Sequence, residues 1–232
     1  MDEFTLGCKN FIFLGEAGCG KSEVATSFAV ALAALNEKKV HFFDMDMTKP
    51  LFRSRDVRER LEEKGIAFHY QAQFMDAPTL VGGVSVEFRD PNSYVVMDVG
   101  GDYIGARAIG GYSELLNRDD SLPFYVINSY RPWSDTIDHI DETLGKIIGM
   151  SHVELGKLRM VSNPNNGLTT TKEEFLEGHK HIVETLKPYA GVQFACVRDG
   201  LYDAVVDQID VPVFPVELRL TYEWLLGDEG KV

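Results

Sequence analysis

The chain has 232 residues and a net charge of −13, from 23 basic and 36 acidic side chains. At 44% hydrophobic and 25% charged it has ordinary globular composition, which excludes disordered, collagen-like and coiled-coil architectures and predicts one domain spanning residues 1–232. The charge opposes non-specific binding to nucleic acid or to an anionic membrane. The longest apolar run, Phe28 to Leu35, is far shorter than the roughly 18–20 residues of a membrane span. The acidic start, Met1-Asp-Glu-Phe-Thr-Leu-Gly, lacks the basic and apolar regions of a signal peptide, so the expected location is cytoplasmic. Cys8, Cys19 and Cys196 are too scattered for a disulfide framework or a zinc ribbon. The one dense basic stretch, Lys49 to Arg60, interleaves Arg53, Arg55, Arg58 and Arg60 with Asp56 and Glu59. Together these features favour a small anionic ligand in a local site.

In chain order, short apolar runs alternate with helical patterns. Strands are predicted at Asn10–Leu14, Lys39–Asp44, Ser93–Val99, Pro123–Asn128, Lys157–Ser162, Gly191–Val197 and Val211–Val216. Their near-continuous hydrophobicity suits strands covered on both faces. Helices are predicted at Lys21–Leu35, Arg53–Lys64, Tyr103–Asn117, Ser134–Gly149, Thr171–Lys187 and Glu217–Leu226, with Thr171 and Glu174 forming a capping box. Ile66–Glu87 reads as an excursion holding at most a small extra strand. The expected fold is α/β, a doubly wound, mostly parallel sheet with helices on both faces and ligands at the carboxyl ends of its strands.

The strongest motif is Gly15-Glu-Ala-Gly-Cys-Gly-Lys-Ser22, a G-x-x-x-x-G-K-S phosphate loop (Walker A) between an apolar strand and an alanine-rich helix. Its glycines let backbone N–H groups face a phosphate chain, and the helix N-terminus adds partial positive charge. The binding segment runs through Gly15, Glu16, Ala17, Gly18, Cys19, Gly20, Lys21, Ser22 and Glu23. Lys21 is expected to reach the β- and γ-phosphates, and the Ser22 hydroxyl to ligate Mg²⁺. Asp98 ends an apolar strand and is followed by Val-Gly-Gly, the Walker B arrangement for holding that metal. Asp44 and Asp46 close the second strand, where alternate residues share a side. Helix capping or solvation is the alternative for each acid alone.

Phosphate loop, Asp44-x-Asp46, Asp98-x-Gly-Gly and a late strand-end Asn, in this order, resemble the ParA/MinD/CobQ group of P-loop ATPases, the SIMIBI class. That resemblance implies an Mg²⁺- and ATP-dependent hydrolase in which Asp46 orients or deprotonates the attacking water while Asp44 and Asp98 lie near the metal. It implies that Asn163 pairs with adenine and that the segment around Pro215 flanks the base. Within Asn-Pro-Asn-Asn-Gly, Asn163 is equally a turn-former. No GTP-selecting Lys-x-Asp pattern is evident. The resemblance also implies a protein partner and a nucleotide-dependent homodimer. Alternatives are an enzyme that uses ATP to activate a small carboxylate, and a nucleotide-binding module without turnover.

One departure stands out. Much of this group carries a lysine after the first loop glycine, where this chain has Glu16, which is expected to repel a facing γ-phosphate. Arg53, Arg55 or Arg107 are candidates to replace the missing cation. His179-x-His181 reads as helix surface, Trp133 as packing, and the acidic C-terminal stretch lacks the basic face of a membrane-targeting helix.

Overall fold

Along β1 the side chains alternate between two cores, and that alternation organises the molecule. Phe11 and Phe13 enter one apolar cluster, Ile12 and Leu14 the other, and all four are essentially inaccessible to solvent. The computed structural model describes residues 1–46, 53–70 and 83–220. The elements in chain order are α1 (Asp2–Thr5), β1 (Asn10–Gly15), α2 (Lys21–Leu35), β2 (Lys39–Met45), α3 (Arg58–Glu63), β3 (Ala67–His69), α4 (Val84–Arg89), β4 (Ser93–Val99), α5 (Tyr103–Gly110), α6 (Ser113–Leu116), β5 (Ser121–Ile127), α7 (Ile137–Ser151), β6 (Arg159–Ser162), α8 (Lys172–Leu186), β7 (Val192–Arg198), α9 (Tyr202–Val205) and β8 (Val213–Val216).

The strands form one sheet in the order β3-β2-β4-β1-β5-β6-β7-β8, and every pairing is parallel. From β1 the sheet extends through β4, β2 and β3 on one side and through β5 to β8 on the other. Such a switch point opens a crevice at the carboxyl ends of the central strands. One face is aromatic: Phe28 of α2 sits against Phe11, Phe13, Phe124 and Phe214 with ring centroids 4.9, 5.5, 5.9 and 5.5 Å away. The other face packs aliphatic strand residues such as Val95 and Met97 against Ile109, Leu144, Ile147 and Ile182. No helix among the described residues is long and apolar enough to cross a membrane.

The predicted strands are all present, with small shifts at their ends, and the Thr171–Glu174 capping box forms in both directions. Four expectations need correction. The single helix predicted at Tyr103–Asn117 breaks into α5 and α6 at Gly110 and Gly111, where a Cβ on Gly110 would lie 2.5 Å from the Met150 carbonyl oxygen. The helix predicted from Arg53 opens as a 3₁₀ turn, Ser54–Val57, because Ser54 and Arg55 turn inward to carboxylates. The excursion after Ile66 contributes β3 and also α4, which its sequence did not announce. Residues 217–220 are not helical, since side chains of α2 take their amides: Glu23 accepts from Arg219 and Leu220, and Ser27 from Glu217. The remainder of that predicted helix lies outside the described residues.

His179 is also corrected. It is buried, 2.9 Å from the Ser162 hydroxyl, while His181 stays near the surface. Trp133 is half exposed rather than packed. Replacing Phe28 by Ala is expected to destabilise the fold by about 3–5 kcal/mol. Denaturant titration should show a lower midpoint at unchanged slope.

Candidate functional site

The phosphate loop leaves β1 at Gly15 and enters α2 at Lys21, as its sequence requires. Gly20 has φ +90°, and a Cβ there would lie 2.5 Å from the Asn163 amide nitrogen, so the position excludes other residues on both conformation and space. Lys21 is 1% exposed, and its ammonium donates back across the loop to the Glu16 carbonyl at 3.1 Å. Ser22 is buried beside it in the first turn of α2. Residues 17 and 18, by contrast, lie exposed at the loop crest.

Three carboxylates gather next to this loop. Asp44 and Asp98 are direct register partners on β2 and β4, both with no exposed surface, and Asp46 is 2% exposed. Asp44 accepts the Asp46 amide at 3.0 Å and the Arg55 guanidinium at 2.7 Å; the same arginine donates to the Asp46 carbonyl at 2.6 Å. Ser54 donates to Asp98 Oδ2 at 2.7 Å, while Asp98 Oδ1 is buried with no hydrogen-bond partner among the described residues. Burial, with the neighbouring Asp98 adding to it, pushes the Asp44 carboxyl up to about 6, against the opposing pull of Arg55.

Two glycines bring this acid group to the loop. A Cβ on Gly100 would sit 3.3 Å from Asp46 Oδ1, and one on Gly101 would sit 2.5 Å from both the Ala17 backbone and the Lys21 ammonium. Only hydrogen side chains allow the segment after Asp98 to close so tightly. An orphaned, fully buried carboxylate oxygen beside a second carboxylate and a buried serine fits a hard cation with oxygen ligands. Among the described residues no group of three or more His, Cys, Asp or Glu side chains converges to hold a metal by itself. Mg²⁺ typically takes only one or two carboxylates, with the remaining positions filled by water and phosphate.

Glu16 is buried and already partnered within the chain. Its carboxylate accepts from the Ser134 hydroxyl at 2.7 Å and the Trp133 amide at 3.3 Å, which ties the segment after β5 to the phosphate loop. The same segment carries Arg131, whose Nε donates to the Gly18 carbonyl at 3.0 Å. Neither contact was foreseen, because the partners lie 118 and 113 residues apart. Of the arginines singled out from sequence, Arg53 pairs with Asp56, Arg55 with Asp44, and Arg107 lies exposed on α5.

Asn163 is buried at the end of β6, and its amide donates to the Cys19 carbonyl at 2.8 Å. Asn165 donates to the Asn163 carbonyl at 2.8 Å, and Asn128, at the end of β5, both donates to the Asn165 carbonyl and accepts its amide. The three asparagines therefore brace the phosphate loop against two strand-end loops. A narrow cavity of about 30 Å³ opens here between Gly20, Asn163, Arg198 and Val216. Pro215 is exposed on β8 next to Val216. Glu23 turns away from the loop to hold residues 219 and 220, and burial raises its pKa against those two hydrogen bonds.

No family model matches the chain, and no curated protein matches it. Among solved structures it is similar to the signal recognition particle receptor FtsY from Elizabethkingia anophelis in complex with GDP, at 13% identity and a TM-score of 0.49, over 80% of this chain and 55% of that one. It is similar to the signal recognition particle 54 kDa protein from Aeropyrum pernix K1 in complex with GDP, at 14% identity and 0.49, over 82% and 41%. FtsY from Mycoplasma mycoides follows at 14% and 0.46, over 80% and 58%. The chain thus spans about half the length of these proteins. The α/β P-loop fold of this chain is carried by its own strand order and loop geometry.

The raised Asp44 pKa has a measurable consequence. The folded chain holds this proton up to about pH 6, whereas the unfolded chain releases it near its ordinary 3.8. The contribution of Asp44 to stability is therefore full below about pH 4 and lost as pH rises through 6. In metal-free buffer, Asp44→Asn should gain stability relative to the parent as pH is raised from about 4 to about 7. Denaturant midpoints across that range test it, and a constant difference would contradict the assignment.

Proposed function

We propose that this chain is an Mg²⁺-dependent ATPase of the ParA/MinD-like group, acting in the cytoplasm as a nucleotide-dependent switch on a protein partner. One observation supports this reading above the others: a buried lysine in a phosphate loop and three buried strand-end carboxylates meet across the Gly100–Gly101 contact. A merely structural turn would not gather so much desolvated charge in one place.

In this reading the loop amides, the α2 N-terminus and Lys21 bind the phosphates of ATP. Ser22, Asp98 and Asp44 would hold Mg²⁺, which when bound would supply charge neutralisation to the phosphate oxygens. Asp46 orients a water molecule. The water oxygen attacks the γ-phosphorus as the bond to the β–γ bridging oxygen breaks, giving ADP and inorganic phosphate, and the water proton passes by way of Asp46 to solvent. Because Gly100 and Gly101 leave little or no room for a Cβ against Asp46 and Lys21, gain or loss of the terminal phosphate would move the segment leading into α5. That segment presents Tyr103 and Ile104, which are 59% and 43% exposed, as the surface a partner or a second copy of the chain would read. Asn163 and Pro215 would flank the adenine.

In this reading the Glu16 carboxylate is occupied by Ser134 and Trp133 and is not counted among the phosphate ligands. Asp46→Asn should lower phosphate release from Mg²⁺·ATP by about a hundredfold. ATP affinity should stay within about twofold, since this carboxylate acts on water rather than on the nucleotide. Equal rates for the variant and the parent would overturn the role of Asp46.

A further inference from the structure

We propose that Arg131 supplies, from within the same chain, the cation that contacts the terminal phosphate, and that Glu16 is the positioning residue that holds it there. The inference rests on the nucleotide-binding reading above and adds to it the residue that distinguishes tri- from diphosphate.

Four observations converge. Arg131 approaches the crest of the phosphate loop, its Nε 3.0 Å from the Gly18 carbonyl, and a Cβ built on Gly18 would meet nothing closer than that nitrogen at 3.8 Å. Arg131 is therefore the nearest neighbour of the loop on the Cβ side of Gly18. Arg131 pairs with no carboxylate among the described residues, which is equally true of Arg60, Arg89, Arg107, Arg159 and Arg198, but of these six it is the one that donates to the phosphate loop. Its guanidinium uses Nε on a backbone carbonyl, leaving the forked Nη donors for an anion.

The position of Arg131 is built rather than incidental. The turn that carries it is closed by its amide donating to the Asn128 carbonyl at 2.9 Å and by the Ser134 amide donating to its own carbonyl at 3.0 Å. Glu16 then clamps the turn through Trp133 and Ser134. The main chain of the same residue accepts the Lys21 ammonium, so Glu16 links the two cations that flank the loop. The location also selects a phosphate. The cavity beside Asn163 lies at the Gly20 end of the loop, whereas Ala17 meets Gly101 and, through it, the Lys21 ammonium and the acid group. Gly18 is on the Ala17 side, the side of the terminal phosphate.

The experiment is calorimetric titration of the full chain with ATP and with ADP, both with Mg²⁺, for the parent, Arg131→Ala, Arg131→Lys and Glu16→Ala. Trp133 emission in a Trp224→Phe background reports the loop independently of turnover. Arg131→Ala should weaken ATP binding by about tenfold or more and ADP binding by less than about twofold, the difference a charge-assisted contact to one phosphate makes. Arg131→Lys should recover part of the loss. Glu16→Ala should reproduce the ATP-selective loss with Arg131 intact and should shift Trp133 emission. If the parent binds ATP and Arg131→Ala binds it equally well, or loses ATP and ADP in equal measure, the inference fails and the nucleotide-binding reading stands. If the parent binds neither nucleotide, both fall together.

Discussion

Everything at the carboxyl end of the central strands answers to one problem, the burial of a lysine ammonium. Lys21 is 1% exposed. Taking such a group out of water costs several kcal/mol unless nearby groups compensate. The chain supplies a backbone carbonyl from Glu16 and, a short way across Gly101, the acid group of Asp44, Asp46 and Asp98. The acids have the complementary difficulty, and Arg55 and Ser54 relieve it by donating to Asp44 and Asp98. Asp44 remains the strained member, pushed up to about 6 by its burial and its carboxylate neighbour. A cation and a phosphate chain carry the charges complementary to these two sets of groups.

Around that centre the loops are not independent. Asn163 holds Cys19, Asn165 holds Asn163, and Asn128 holds Asn165. The turn after Asn128 returns to the phosphate loop through Glu16 and Gly18. A closed circuit of hydrogen bonds therefore connects the crevice at the end of β6 to the crest of the phosphate loop. Because each link donates or accepts with fixed geometry, a displacement of the crest has a route to the strand-end loops. Tight glycine contacts do the same on the other side, where Gly105 packs directly on Gly100 and ties the start of α5 to the acid group.

What sequence revealed and what it concealed divide along physical lines. The loop and α2 were legible because their requirements are local: glycines at fixed spacing, an apolar strand before and a helix after. Asp44, Asp46 and Asp98 were legible because a parallel sheet brings the carboxyl ends of neighbouring strands together, and Asp44 and Asp98 are indeed register partners. The partner of Glu16 was hidden because Ser134 is 118 residues away and nothing local to Glu16 points to it. Arg131 was passed over for the same reason. Ser54 and Arg55 lay inside a stretch that predicted a regular helix from Arg53, and their inward turn follows from the acids they meet rather than from their own neighbours. His179 shows the limit of reading spacing alone, since two residues on one helix separated by a single position point to different environments.

The most direct measurement is the binding of Mg²⁺·ATP, with Mg²⁺·GTP in parallel, by the parent chain and by Lys21→Ala. Saturable binding of one ATP per parent chain, lost in the variant and weaker for GTP, is the result expected if the buried ammonium and the loop amides form a phosphate site beside an adenine crevice. Equal binding by the parent and the variant, or none by the parent, would contradict it.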